Sequence, residues 1–198
     1  MIGCVVLGVA AGAAAEERVI ATLGDSLTAG FGVAADEAWP ARLQARLRRE
    51  GYPYRVVNAG VSGDTTAGGL RRVDWVLRAR PEVVVVALGA NDGLRGQSVP
   101  AMRANLIGIV RRLQGAGATV LFVGMRLPPN YGAPYADEFT RAFREVAAET
   151  RVAFMPFLLD GVAADPALNQ ADGLHPNVAG HRIIAERLWP FLRPLLRR

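Results

Sequence analysis

The 198 residues include no lysine, one cysteine and two histidines, and no uncharged run longer than the first 15 residues. Each shortage closes off a class of protein. A lone cysteine, Cys4, excludes any disulfide within the chain. Two histidines and one cysteine are too few for the usual zinc ligand sets, and the pair Asp172 and His175 has no third ligand clustered with it in sequence, so no metal is expected. Fifteen apolar residues are too short for a bilayer, which takes about 20. Neither a P-loop nor a GxGxxG pattern is present, which argues against a phosphate cradle and the nucleotide cofactor it would hold. No cofactor of any kind is expected. Without a Pro/Gly/Ser-rich linker or an internal repeat, residues 16–198 read as a single domain.

The basic charge is all arginine: 23 residues against 18 acidic ones, a net charge of +5 and an isoelectric point near 10.3. These arginines are scattered, some in pairs such as Arg48-Arg49, Arg71-Arg72, Arg111-Arg112 and Arg197-Arg198. They form neither one run nor a recognisable nucleic-acid module, so no nucleic-acid partner is expected. The absence of lysine beside abundant Ala and Gly reads as a coding bias toward GC.

Residues 1–15 carry no charge and run from Ile2, Val5, Val6, Leu7 and Val9 into Ala13-Ala14-Ala15. This reads as a secretory signal with an Ala-x-Ala cleavage site, although the usual basic beginning is missing. The expectation is export to the periplasm with no stable membrane anchor, and a monomer acting on small molecules.

From residue 19 onward, short β-type apolar runs alternate with longer helical ones. Strands are expected at 19–23, 54–58, 83–88, 119–123 and 152–154, and helices at 39–50, 67–78, 99–113, 137–149 and from 177 towards 196. The third strand is continuously apolar, as suits a central parallel strand covered on both faces. This predicts an α/β fold with three α/β/α layers, a doubly wound, mostly parallel five-stranded sheet in the flavodoxin-like order 2-1-3-4-5. Ligands in such sheets sit beyond the carboxyl ends of the strands, so the loops that follow strands are the ones to read.

Those loops carry Gly24-Asp25-Ser26-Leu27, Val61-Ser62-Gly63-Asp64-Thr65, Gly89-Ala90-Asn91-Asp92 and, just before the last helix, Asp172-Gly173-Leu174-His175-Pro176. A serine hydroxyl is a weak nucleophile until a base takes its proton, and an imidazole does so near neutral pH. His175 is fixed at a loop end by Pro176, whereas His181 lies inside the last helix and is expected at its surface or boundary. Asp172, across a turn from His175, can reach its Nδ1 and set the tautomer. The N–H groups of Ser26 and Gly63 with the Asn91 amide offer three donors to an oxyanion, each worth about 10²–10³ in rate. Glycine at 63 would allow close backbone approach. Asp25 is expected to brace its turn, and Asp92 to act as a loop-fixing acceptor.

These four blocks, in this order, resemble the SGNH (GDSL) hydrolase superfamily, and most of all its bacterial periplasmic thioesterase, lysophospholipase and arylesterase group. Further similarity lies in Ala38-Trp39-Pro40, Asn91-Asp92-Gly93-Leu94-Arg95-Gly96 and Arg126-Leu127-Pro128-Pro129-Asn130-Tyr131-Gly132. The resemblance implies a three-layer α/β/α fold and a metal-free acyl-enzyme mechanism on esters and thioesters. No Gly-x-Ser-x-Gly elbow surrounds Ser26, which argues against an α/β-hydrolase.

Acyl groups are expected against the loops after the third and fourth strands, at Leu94, Leu127 and Tyr131. The rival readings are a carbohydrate O-acetylesterase on the same scaffold, a non-catalytic binding protein, and a basic protein held on anionic membrane or nucleic acid. The complete set Ser26, Asn91, Asp172 and His175 speaks against the second, and the scattered arginines against the third.

Overall fold

The computed structural model describes residues 17–198; the expected signal segment at 1–15 lies outside them. Five strands form the sheet: β1 (Arg18–Gly24), β2 (Tyr54–Gly60), β3 (Val83–Ala87), β4 (Thr119–Val123) and β5 (Ala153–Met155). Their order is β2-β1-β3-β4-β5 and every pairing is parallel, as the alternation in the sequence predicts. All five residues of β3 are buried, consistent with helices over both faces.

Among the described residues, seven α-helices connect and cover the strands: α1 (Ser26–Ala29), α2 (Trp39–Arg49), α3 (Thr66–Leu77), α4 (Ala90–Leu94), α5 (Val99–Gly115), α6 (Ala133–Thr150) and α7 (Val178–Leu192). Helix α2 packs on α7, while α3, α5 and α6 pack in a row, making the two outer layers. Fully buried Trp39, Leu43 and Leu47 anchor the first layer. In the second, Phe143 stacks on Phe122 of β4 at 5.7 Å and meets Phe139 edge-on at 5.1 Å. Side chains of Asp25, Thr65, Ser98 and Asn177 accept from the first free N–H groups of α1, α3, α5 and α7, as good capping residues do.

The register brings the site together. Gly24 at the end of β1 lies opposite Gly60 of β2 and Ala87 of β3, so three strands stop at one level and their loops open at the same edge. That edge flanks the point where the winding reverses, between β1 and β3. Helix α1 presses onto it so closely that a side chain at Gly60 would run into the Ala29 backbone.

Three expectations need correction. Helix α6 begins at Ala133 rather than 137, because Pro134 falls in the first turn, where a missing N–H costs nothing. The short helices α1 and α4 were not expected. His181 is not at a helix surface: it is 1% exposed, and its Nδ1 accepts the Trp39 N–H at 3.3 Å. Trp39 is the first residue of α2, so its N–H has no acceptor within the helix, and α7 supplies one from across the layer.

Candidate active site

Ser26 opens α1, directly after a buried Asp25 whose Oδ1 accepts the Leu27 N–H at 3.0 Å. That bond fixes the turn out of β1 and leaves the Ser26 hydroxyl at the mouth. The Ser26 Oγ lies 3.0 Å from His175 Nε2, and His175 Nδ1 lies 2.6 Å from Asp172 Oδ2. Asp172 does more than meet the ring: its Oδ1 accepts the N–H groups of both Leu174 and His175, each at 2.9 Å. These bonds hold its carboxyl down to about 2, despite its exposure. An ionised carboxylate only accepts, so the Nδ1 atom carries the proton and Nε2 turns a lone pair toward the serine.

The histidine loop is tied to the segment after α1. Gln170 donates from Nε2 to the Phe31 carbonyl at 2.7 Å and to the Pro176 carbonyl at 2.9 Å, and its own N–H reaches the His175 carbonyl at 2.8 Å. The Phe31 ring covers the imidazole at 4.7 Å between centroids.

Opposite the imidazole stand the donors. The Ser26 and Gly63 N–H groups donate to no protein acceptor among the described residues. Asn91, the second residue of α4, donates from Nδ2 to the Asp64 carbonyl at 3.0 Å, with Asp25 Oδ2 at 3.5 Å. Glycine at 63 has a further reason in the backbone itself. A Cβ there would meet only the Arg95 guanidinium, at 3.6 Å, but the φ of +79° is one that side chains resist.

Asp92 is buried and accepts from Thr66 through both oxygens, from the N–H at 2.9 Å and the hydroxyl at 2.6 Å. It locks α4 against α3, as a loop-fixing acceptor would. Burial pushes the Asp25 carboxyl up to about 6, opposed by the Leu27 N–H and by His175.

A cavity of about 500 Å³ opens from Ser26, Asn91 and His175, within the range of roughly 300–1,000 Å³ common for small-molecule sites. Of the three side chains expected against the acyl group, Leu94 and Leu127 line this cavity and Tyr131 does not. Its hydroxyl instead donates to the Leu94 carbonyl at 3.0 Å, bracing the wall from behind. Sequence reasoning missed Met125, Phe157, Leu159, Ala163, Ala164 and Leu174. Several of these follow β5, and the rule that ligands lie beyond strand ends could have drawn attention to that segment as well. Among the described residues no cluster of His, Cys, Asp and Glu could hold a metal ion, and no helix is long and apolar enough to cross a membrane.

A parallel sheet with Ser, His and Asp hydrogen-bonded at its switch point, facing free N–H donors, defines the class of acyl-transferring serine hydrolases. Within that class the chain belongs to the GDSL-like lipase/acylhydrolase family, which it matches over residues 22–183. It is 44% identical over 195 residues to esterase TesA of Pseudomonas aeruginosa, covering 98% of this chain and 96% of that one. It is 38% identical over 184 residues to thioesterase 1/protease 1/lysophospholipase L1 of Escherichia coli, covering 92% and 87% respectively. The crystal structure of TesA superposes with a TM-score of 0.88 at 44% identity, over 90% of this chain and all of that one. The chain is a carboxylic ester hydrolase of the SGNH type.

Proposed function

We propose that this protein hydrolyses carboxylic esters and thioesters, among them aryl esters, acyl thioesters and lysophospholipids, through an acyl-enzyme on Ser26. The observation that carries the reading is the chain of contacts from Ser26 Oγ to His175 Nε2 at 3.0 Å and from His175 Nδ1 to Asp172 at 2.6 Å, set over an apolar-walled cavity. The names of the relatives, an esterase and a thioesterase/lysophospholipase, support the substrate class.

In this mechanism His175 takes the Ser26 proton as Oγ attacks the acyl carbonyl. Asp172 holds the ring in place and stabilises the imidazolium. The Ser26 and Gly63 N–H groups and the Asn91 amide receive the charge on the carbonyl oxygen. The imidazolium then returns its proton to the departing alcohol or thiol. Water, deprotonated by the same ring, attacks the acyl-enzyme and releases the acid and Ser26.

The wall formed by Leu94, Leu127, Phe157 and Leu159 favours an acyl chain longer than acetate. This weighs against the carbohydrate O-acetylesterase reading. Residues 1–15 act as an export signal in this proposal, and the domain of residues 16–198 works in the periplasm as a monomer.

The test is hydrolysis of p-nitrophenyl esters from acetate to palmitate by the wild type and by Ser26→Ala. Turnover should vanish in the variant, with the fold retained by circular dichroism, and the optimum should lie beyond acetate. Near-wild-type rates in a clean preparation of Ser26→Ala would sink the assignment.

A further inference from the structure

The arginine pair at 71 and 72 divides. Arg71 is exposed, whereas the Arg72 side chain turns inward from α3 and is only 18% exposed. Its three guanidinium nitrogens each reach a different segment. Nε donates to Asp64 Oδ2 at 2.7 Å, Nη1 to the Ala59 carbonyl at 2.7 Å, and Nη2 to the Gly24 carbonyl at 2.9 Å.

Those three acceptors surround the candidate oxyanion hole. Gly24 ends β1 two residues before Ser26, Ala59 lies at the end of β2, and Asp64 directly follows Gly63. The Asp64 carbonyl also receives the Asn91 amide at 3.0 Å. One planar cation therefore ties together the backbone segments carrying the Ser26 and Gly63 N–H groups, and through Asp64 the Asn91 side chain. No atom of Arg72 need touch the substrate for this.

We propose that Arg72 is a positioning residue for ester hydrolysis, a rigid fork that fixes the spacing of the oxyanion donors. The proposal rests on the roles assigned above to Ser26, Gly63 and Asn91. Its physical basis is that such donors stabilise developing charge only when held in place before the reaction. A misplacement of about 1 Å, even from a distant change, can cost around 10²-fold in rate. Lysine cannot replace the fork, because one ammonium on a flexible stem cannot keep three divergent acceptors in fixed geometry.

The experiment compares full-length wild type, Arg72→Ala, Arg72→Lys and Ser26→Ala on p-nitrophenyl butyrate, with phenylboronic acid as a probe that forms a tetrahedral adduct on an active serine. In both Arg72 variants kcat should fall about 10²-fold with KM nearly unchanged, and boronate affinity should fall in parallel. Millimolar methylguanidinium should restore part of kcat to Arg72→Ala. A role confined to stability would lower the melting temperature without moving kcat and boronate affinity together.

A folded Arg72→Lys or Arg72→Ala with kcat and boronate affinity within about threefold of wild type overturns the proposal. Should neither fold, Asp64→Ala removes the acceptor of Arg72 Nε and unhooks the Gly63 loop while leaving the other two contacts. It should lower both quantities together by about tenfold, and wild-type values there overturn the proposal equally. Failure of the underlying assignment looks different: Ser26→Ala would keep its turnover and boronate binding whatever Arg72 does.

Discussion

The loop after β1 carries Ser26 behind a carboxylate, Asp25, that is almost wholly out of water, whereas the loop before α7 carries His175 with its carboxylate, Asp172, at the surface. The two acids are displaced in opposite directions. Burial lifts Asp25 to about 6, and the N–H groups and ring of its own turn hold Asp172 near 2. Two aspartates close to one imidazole thus differ in what they offer it. Only the one surrounded by donors stays ionised with a wide margin at neutral pH.

The two loops also differ in how their geometry is secured. On the serine side the work is spread over strand ends, Asp25, Asn91 and Arg72. On the histidine side Gln170 ties the loop to its neighbour, while one carboxylate both shapes the turn and aligns the ring.

That contrast predicts unequal losses from single lesions. Asp172→Asn should lower kcat by about 10⁴-fold with little change in KM, since an amide that presents its NH2 group to Nδ1 selects the wrong tautomer. Steady-state kinetics on a p-nitrophenyl ester, with thermal melting to confirm the fold, measures it. Asn91→Ala should cost less, about 10²–10³ in kcat, because two backbone donors remain. Equal losses in the two variants would erase the distinction between a concentrated and a distributed design.

Much of the fold was legible because parallel strands leave a plain mark. The run Val83 to Ala87 has one environment on both faces and reads as continuous apolar residues. Ser26, Gly63, Asn91, Asp172 and His175 could be read as one group because each lies in a segment that follows a strand or leads into the last helix, at one predictable edge of the sheet. The roles of His181 and Arg72 were hidden, because each satisfies a backbone group belonging to a segment far along the chain. His181 answers the free Trp39 N–H at the start of α2, and Arg72 reaches back 48 residues to Gly24. The Ala163 and Ala164 wall was hidden too, since it lies in an irregular segment without periodicity. Tyr131 shows the complementary error: a loop aromatic beside the site can serve as a brace behind the wall.

The smallest expected effect concerns stability, and it sets the serine loop against the helix that follows the histidine loop. Asp25 ordinarily titrates at 3.8 and in the fold at about 6. Between those values the unfolded chain has released a proton that the folded protein keeps, so stability falls as pH rises. His181, six residues beyond His175, is displaced the other way, from 6.5 to about 4, by burial and then by the charges of Arg42 and His175. Over that interval the unfolded chain binds a proton that the folded protein refuses, so stability rises with pH. Each displacement is worth at most about 3 kcal/mol, and the windows nearly coincide, so their contributions cancel in the wild type between pH 4 and 6. Asp25→Asn keeps an acceptor for the Leu27 N–H and removes one slope; urea denaturation should then show stability climbing with pH. His181→Gln keeps an acceptor for the Trp39 N–H and removes the other, and its stability should decline over the same range. Parallel profiles in all three proteins would mean that neither buried group titrates as its surroundings dictate.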